Sequence, residues 1–269
     1  MGKFAMIRMG RSVAVLLSLS AVAATAQDMM RDVDLASPEM VLAEMSRADV
    51  EAAVATATDA APADFTARRL SNLDLSGLDL SGTVFRAARM NKTRFSGAKL
   101  DRAILDQAWL LDADFTAASL KGANLFAAQM RRARLDGADL SGARLAADLT
   151  GASLVGASIA GANLGADMRN QSMGLMRTVL TSANLERVNA RDADLSRVDL
   201  EFAFLRGADL SGASLKGAQL GGADLTGVTL VGTDFDGADL ASAKLIAPIG
   251  LDQARNFDKA KNRERLIRE

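Results

Sequence analysis

Large apolar residues return at every fifth position through most of the chain. Leu210, Leu215 and Leu220 show the spacing, and a small residue stands two positions before each of them. Of 36 such central positions between Phe65 and Leu245, 35 are Leu, Phe, Met or Ile, and 32 have Ala, Val or Thr two positions earlier. Neither the 3.6-residue period of a helix nor the two-residue period of a strand matches this spacing. The pattern therefore predicts a solenoid built from short repeats.

The repeat resembles the pentapeptide repeat family. The pattern Ala, then Asp, Asn or Ser, then Leu, any residue and Gly occurs at 138–142 (ADLSG) and 208–212 (ADLSG), with a shorter match at 162–165 (ANLG). The resemblance extends over about residues 63–249. It implies an all-β fold: a right-handed quadrilateral β-helix with one pentad on each side and about 20 residues per coil.

A four-sided tube explains both inward positions, because a central Leu and a small Ala fill a narrow interior that a larger pair would overfill. Folding the sequence at about 20 residues per coil predicts outward columns stacked ~4.8 Å apart. Two columns carry charges that we expect to pair weakly at the surface. They are Asp74, Arg94, Asp114 and Arg134, and Asp79, Lys99, Ser119 and Asp139.

An apolar cluster occupies outward positions of the same frame. Val84 and Ile104 are expected to stack, with Phe126 on the same face and with Trp109 and Leu111 on the adjoining face. Trp109 is the only Trp of the chain, so the cluster is a candidate interaction patch. Burial beneath the N-terminal helix or a loop is the competing interpretation. Phe202 and Phe204 form a smaller candidate patch of the same kind.

The repeat slips once in the middle of the chain. Leu149 follows Leu145 one residue early, and Leu180 lies one residue beyond three pentads from Leu164. We expect a bulge or loop over 167–173, with polar side chains that could make contacts. The alternative is a tolerated repeat error without function. The candidate contact residues of this loop are Arg169, Asn170 and Gln171.

Segments of different composition flank the repeats. Residues 1–26 combine early Lys and Arg, an apolar stretch and a small-residue site at Ala24–Ala26, which is typical of a secretory signal peptide. Residues 27–62 are expected to form a helix from Ser37 through about Thr56 that covers the first coil, or a partner-binding arm. Residues 250–269 are similar to the family's post-repeat helix, which closes the last coil or mediates dimerisation.

Charge is unevenly placed along the chain. Residues 27–62 hold 2 basic and 8 acidic residues, whereas residues 63–177 hold 15 basic and 11 acidic residues. Such a distribution suggests that the acidic arm lies along the basic half, or that rods associate head to tail. Solvated surface charge without a specific partner explains it equally well.

The composition lacks several of the residue types on which enzymes most often depend. The chain has no His and no Cys, so the commonest bases, nucleophiles and metal ligands are missing. The repeat accounts for nearly every Asp, and a convex rod with a filled interior has no deep pocket. We therefore expect no catalysis, no cofactor and no metal.

Two functions compete for such a rod. The first is an exported scaffold, periplasmic in a bacterium, that binds a protein or envelope component. After signal cleavage it would have no stable membrane insertion, and it could form a homodimer through its C-terminal segment.

The second function comes from the family, some of whose members mimic duplex DNA and bind DNA gyrase. Mimicry needs an acidic rod in the cytoplasm, and the equal numbers of basic and acidic residues in the repeats favour the first function. Direct nucleic-acid binding is not expected either.

Overall fold

The computed structural model describes residues 33–168 and 176–269 and shows a four-sided coil. Outward residues about one coil apart form parallel β-bridges, such as Val84 with Ile104 and Arg89 with Trp109. The Ile104 amide donates to Thr83 O at 2.9 Å, and Ile104 O accepts from the Phe85 amide at 2.7 Å. Within the described residues, extended structure is confined to such single-residue bridges. Face 1 runs from Asp64 to Arg255, face 2 from Arg69 to Lys261, face 3 from Asp74 to Ile267, and face 4 from Asp79 to Ile249.

The interior is filled by the two inward positions of each pentad. Leu120 and Ala118 are typical, with 0% and 1% of their surface exposed. Phe rings in successive coils lie one above the other, and the centroids of Phe95 and Phe115 are 4.8 Å apart. This distance equals the spacing between stacked strands, so the ladder itself places the rings in contact. The predicted inward pair is confirmed.

Each regular corner is a tight turn whose third residue has positive φ. At one corner the Ala213 amide donates to Leu210 O at 2.9 Å, and Gly212 between them has φ 71°. This conformation is costly for residues with a Cβ, which explains the recurrent Gly two residues after the central Leu.

The N-terminal segment forms two short helices, α1 (Pro38–Val41) and α2 (Arg47–Ala55), where the sequence predicted one. The backbone of Leu42 is extended and ends α1. Ser46 then starts α2 with a capping box, since Ser46 Oγ accepts from the Asp49 amide and Asp49 accepts from the Ser46 amide. The predicted continuous helix is wrong because this stronger N-cap signal lies inside it.

Helix α2 covers the open end of the first coil. Val50 is fully buried, and Met45, Ala53 and Val54 pack against the core. The small positions of this coil hold Arg68, Leu73 and Leu78 instead of small residues. Leu73 and Leu78 pack against the same core, because no preceding coil confines them.

The expected C-terminal helix does not form, and residues 249–267 instead add a coil with six-residue sides. Ile249, Arg255, Lys261 and Ile267 pair with the coil above. Three 3-10 turns fill the corners: Leu251–Gln253, Phe257–Lys259 and Arg263–Arg265.

The extra residue of each six-residue side stands at the start of its turn, in the left-handed region. Gly250, Asn256 and Asn262 occupy these positions. Asn256 Nδ2 donates to Asp234 Oδ1 at 2.9 Å, and Asn262 Nδ2 donates to Asp239 Oδ1 at 2.7 Å. Gly and Asn tolerate this conformation best, and the added turns satisfy amides that have no next coil to pair with.

The regular sides are interrupted between Asn163 and Val179 by a segment that we call the detour. The side from Arg144 to Asp148 has four residues, and the side that follows Asn163 resumes only at Val179, which pairs with Asp148. The Asp167 amide donates to Met176 O at 2.8 Å and closes the base of the detour.

Candidate interaction surface

The outward carboxylates are used as turn caps. Asp79 Oδ1 accepts from the Ser81 amide at 3.2 Å and from Ser81 Oγ at 2.7 Å. The hydrogen bond from the Ser81 hydroxyl is the main reason why the pKa of Asp79 lies below its usual range. The pKa of Asp64 is lowered in the same way by Thr66. The same amide bond, from the residue two positions on, recurs at Asp74, Asp114, Asp139, Asp148, Asp194, Asp199, Asp209, Asp224, Asp234 and Asp239.

Ion pairs follow the stacking of the coils. The predicted column of Asp74, Arg94, Asp114 and Arg134 is confirmed as a ladder of bridges. Arg94 pairs with Asp74, and Arg134 Nη1 lies 4.0 Å from Asp114 Oδ2. Asp112 receives two bonds of 2.8 Å from Arg132. Most of these arginines are half exposed or more, so each pair stabilises the fold only slightly.

The Asp79, Lys99, Ser119 and Asp139 column is also a ladder of bridges. Together the turn caps and ladders give the carboxylates named above structural partners. Among residues 33–168 and 176–269, no group of His, Cys, Asp or Glu is arranged to hold a metal ion. No helix in the same ranges is long and apolar enough to cross a membrane.

Four of the five residues of the predicted apolar cluster lie at neighbouring positions of faces 1 and 2. Val84 and Ile104 pair on face 1, and Trp109 follows Ile104 on face 2 of the same coil. Phe126 lies at the corner of the next coil, and the Arg144 guanidinium covers its ring at 4.3 Å. All four side chains are partly exposed. We call these four residues the Trp109 patch.

Leu111 does not belong to this patch, because only 5% of its surface is exposed. It borders a cleft of about 320 Å³ together with Leu35 and Met40 of the N-terminal segment. Asn91 links the two elements: Nδ2 donates to Met40 O at 3.3 Å, and Oδ1 accepts from the Leu111 amide at 3.0 Å. The expectation that Leu111 is exposed is therefore wrong: the residue is buried, at a place where the N-terminal segment lies beside the coil.

A second cleft, of about 470 Å³, lies beside the base of the detour. Its polar lining includes Arg144, Asn163, Asp167 and Asp194, and Arg144 Nη2 lies 3.5 Å from Asp167 Oδ2. The predicted loop contacts Arg169, Asn170 and Gln171 lie outside the described residues, so their role stays a prediction.

Phe202 and Phe204 are far more exposed than the Trp109 patch. Phe202 is 59% exposed and Phe204 is 47% exposed. Phe202 follows face 2 at the corner to face 3, whereas Phe204 lies on face 3 itself. The five-residue repeat places both Phe side chains on the outside of the coil. The repeat did not single out the exposed Leu42, Ile249 and Ile267, of which Leu42 and Ile267 lie in segments where the five-residue spacing does not hold.

The fold and the repeat define the class of protein. The family model for pentapeptide repeats matches eight copies, over residues 69–107, 108–145, 175–212 and 213–246, which is more than half of the chain. This chain belongs to the pentapeptide repeat family, and its coil is the family's right-handed β-helix.

Three solved structures are similar to it in different degrees. HetL from Nostoc sp. strain PCC 7120, involved in heterocyst differentiation regulation, is 28% identical, with 83% of this chain and 95% of HetL covered and a TM-score of 0.49. Trypsin-treated QnrB1, a plasmid-mediated fluoroquinolone resistance protein, is 19% identical over 74% of this chain and 84% of its own, with a TM-score of 0.40. Rfr23 from the cyanobacterium Cyanothece 51142 is 26% identical over 44% and 91%, with a TM-score of 0.20. No curated protein matches this chain.

Proposed function

We propose that this chain is a non-catalytic interaction module that is exported to a bacterial periplasm and binds a protein or envelope component through the Trp109 patch. The observation that carries the proposal is the clustering of partly exposed Val84, Ile104, Trp109 and Phe126. Aromatic and aliphatic groups of this kind are the usual anchors of protein interfaces.

The positions next to the cluster on both faces hold polar or charged residues, so the cluster is an apolar interruption of a polar surface. Along face 1 the ladder continues with Asn124 and Arg144, and face 2 has Arg89 before Trp109 and Gln129 after it. The core of the coil does not use these apolar side chains, since it is filled by the inward positions. A role outside the fold of the coil is therefore the simplest reason for them.

Absence of catalysis is part of the same proposal. The sequence lacks His and Cys, and the outward carboxylates hold turn amides and arginines. A group that accepts two or three fixed hydrogen bonds is poorly placed to exchange protons with a substrate. Export rests on Lys3, Arg8 and Arg11, the apolar stretch 13–22 and the small residues of 24–26.

Mimicry of duplex DNA, with gyrase as the partner, is the less favoured function. Arg94, Arg132 and Arg134 stand on the outward surface, with 61%, 62% and 60% of their side chains exposed. A mimic of the phosphate backbone needs carboxylates at such positions. A homodimer through residues 250–269 also stays a prediction. Its contact would be made by a coil with six-residue sides and not by a helix.

An affinity capture tests the proposed function. Purified chain is immobilised and exposed to an envelope extract, as wild type, as Trp109→Ala and as Gln219→Ala. The last is a matched control on the same face. We expect one envelope component to bind wild type and Gln219→Ala and to be lost with Trp109→Ala. Equal capture by all three, or a large fall in the thermal stability of Trp109→Ala, would contradict a binding role for the patch.

A further inference from the structure

Two buried oxygen atoms beside Trp109 lack a hydrogen-bond donor. They are Asp106 Oδ1 and Gln129 Oε1, and in residues 33–168 and 176–269 no other buried side-chain nitrogen or oxygen atom is left without a partner. A buried acceptor without a donor lowers the stability of a fold, so its retention calls for a reason. Both atoms flank the only Trp of the chain.

Four side chains form a small square on the rod, which we call the Trp109 square. Asp106 lies at the corner between faces 1 and 2, and Trp109 follows it on face 2 of the same coil. Phe126 and Gln129 hold the same two positions one coil later: the Gln107 amide donates to Phe126 O at 2.8 Å, and Trp109 pairs with Gln129. Coils are stacked ~4.8 Å apart. The two rings therefore occupy one diagonal of the square, and the two unpaired acceptors occupy the other.

The amide of Gln129 cannot satisfy its own oxygen by turning over. Gln129 is 1% exposed, and its Nε2 donates to Ala127 O at 3.4 Å. A reversed amide would set Oε1 against that carbonyl oxygen, which places two acceptors together without a donor between them. The unpaired atom is therefore an acceptor, and it needs a donor from outside the described residues.

Asp106 uses one carboxylate oxygen within the fold and leaves the other unpaired. Arg86 Nε donates to Asp106 Oδ2 at 2.9 Å, and the Asp106 side chain is 14% exposed. The guanidinium offsets the charge of the carboxylate. Arg144, which covers the Phe126 ring, is likewise within 3.5 Å of Asp167. Because both pairs are balanced, the missing donor at Asp106 Oδ1 need not be a cation.

The same surface also carries donors without a protein acceptor. Arg89 stands before Trp109 on face 2, and neither its guanidinium nor the indole N–H of Trp109 has a partner in the part of the chain that the structure describes. A hydroxyl group both donates and accepts, whereas an ammonium group only donates and a carboxylate only accepts. Unpaired donors and acceptors beside two aromatic rings therefore fit a ligand that is rich in hydroxyl groups.

We propose that the Trp109 square binds a neutral sugar unit of an envelope polysaccharide. The apolar face of the sugar ring lies on Trp109 and Phe126. Its hydroxyl groups donate to Asp106 Oδ1 and Gln129 Oε1 and accept from Arg89. Both oxygen atoms are withdrawn from solvent, so the partly exposed Trp109 side chain turns outward as the sugar enters. This inference rests on the proposed function, because it names the chemistry of the partner of the same patch.

Fluorescence of Trp109 reports on this site alone, because the chain has one Trp and no Tyr. The neutral probes are cellotetraose and the tetramer of N-acetylglucosamine, and dextran sulfate is the anionic comparison. We expect a saturable shift in emission with a neutral probe, at a midpoint that salt does not change because the ligand carries no charge. Absence of a saturable response to both neutral probes would overturn the proposal. So would binding of dextran sulfate alone, released by salt, which would assign the surface to its arginines.

Gln129→Met distinguishes a ligand-binding acceptor from a structural one. Met has a similar length and no amide oxygen, so the variant should melt at a higher temperature than the wild type and bind the neutral probe roughly fivefold more weakly. Gln219→Met, at a half-buried position on the same face, is the matched control and should bind like the wild type. Asp106→Asn should also weaken binding. A lower melting temperature with unchanged sugar binding in Gln129→Met would make Gln129 structural and contradict the proposal.

The nature of the captured envelope component separates this inference from the proposed function. Before capture by the wild type, one portion of the envelope extract is treated with protease and another with periodate, which cleaves the vicinal diols of sugars. We expect capture to survive protease and to be lost after periodate. Loss after protease alone would overturn the sugar site and leave the proposed function standing. Failure of the wild type to capture anything from untreated extract would contradict the proposed function itself, whereas the fluorescence titration would still decide the sugar site.

Discussion

The ring of Phe202 lies against the backbone of Gly222 in the next coil. A Cβ built on Gly222 would stand 2.7 Å from two carbon atoms of that ring. The same relation joins Asp192 with Gly212, and the stems of Arg197 and Arg187 approach Gly217 and Gly207. A long side chain at one corner thus lies over a glycine one coil later.

This relation predicts a coupled pair of substitutions. Gly222→Ala should lower the free energy of unfolding by about 1–2 kcal/mol for the left-handed conformation and by about 1–3 kcal/mol more because the Phe202 ring must move. Gly227→Ala is the matched control, since it has the same φ of 67° and nothing within 4 Å. Urea unfolding of Gly222→Ala, Phe202→Ala and the double variant measures the coupling. Additive effects would contradict the contact.

The dry core predicts a strong effect of charge in the interior. Leu120→Asp should unfold the coils around residue 120, because a buried carboxylate without a partner costs several kcal/mol. Leu120→Met should cost less than about 1.5 kcal/mol, because it keeps the apolar volume. Hydrogen exchange locates the effect: protection should be lost near residue 120 and retained in distant coils, since each repeat contacts only its neighbours. Uniform loss would indicate one cooperative unit.

Asn91 is predicted to hold the N-terminal segment on the rod. Asn91→Ala removes the bonds to Met40 O and to the Leu111 amide from a buried site and should cost about 1–3 kcal/mol. Amide exchange in α1 and α2 should rise sharply. Asn184→Ala, at a half-buried position on face 3, should leave that exchange unchanged. If α1 and α2 stay protected in Asn91→Ala, other contacts hold the segment.

The turn caps predict a loss of stability in acid. Because folding lowers the pKa of Asp64, Asp79 and Asp114, their contribution is fully present above about pH 5 and is lost as pH falls through the folded values, below about pH 4. Replacing these three residues by Asn keeps the turn acceptor and removes the titration. Urea unfolding between pH 2 and 7 should show a smaller acid loss in the triple variant. If the free energy of unfolding falls by the same amount in acid in the triple variant and in the wild type, other groups cause the loss.

The five-residue spacing predicted the coil, its inward pairs and its charge ladders, because one geometric rule repeats at each pentad. The prediction failed where that rule stops. The extended backbone of Leu42 and the capping box at Ser46 divide the N-terminal helix into two. The Ser46–Asp49 capping box is a helix-start pattern that could have been recognised in the sequence. Gly250, Asn256 and Asn262 recur every six residues, a signal that lies in the sequence but outside the five-residue frame.

The candidate surface was less predictable than the coil. Outward orientation follows from the frame, but exposure depends on what covers each face. Leu111 is buried and borders a cleft with Leu35 and Met40, about 70 residues earlier in the chain, a neighbourhood that periodicity does not contain. Phe202 lies over Gly222 in the next coil, whereas Phe204 pairs with Asp224, and neither ring is covered by another segment.

The most direct test of the account is to crosslink the protein in its own cells from a photoreactive residue at position 124, beside the intact Trp109 patch on face 1, and to sequence the N-terminus of the adduct. An exported interaction module predicts a periplasmic adduct with an envelope component, in which this chain begins at Gln27. A cytoplasmic chain that begins at Met1, or an adduct with a topoisomerase, would contradict it.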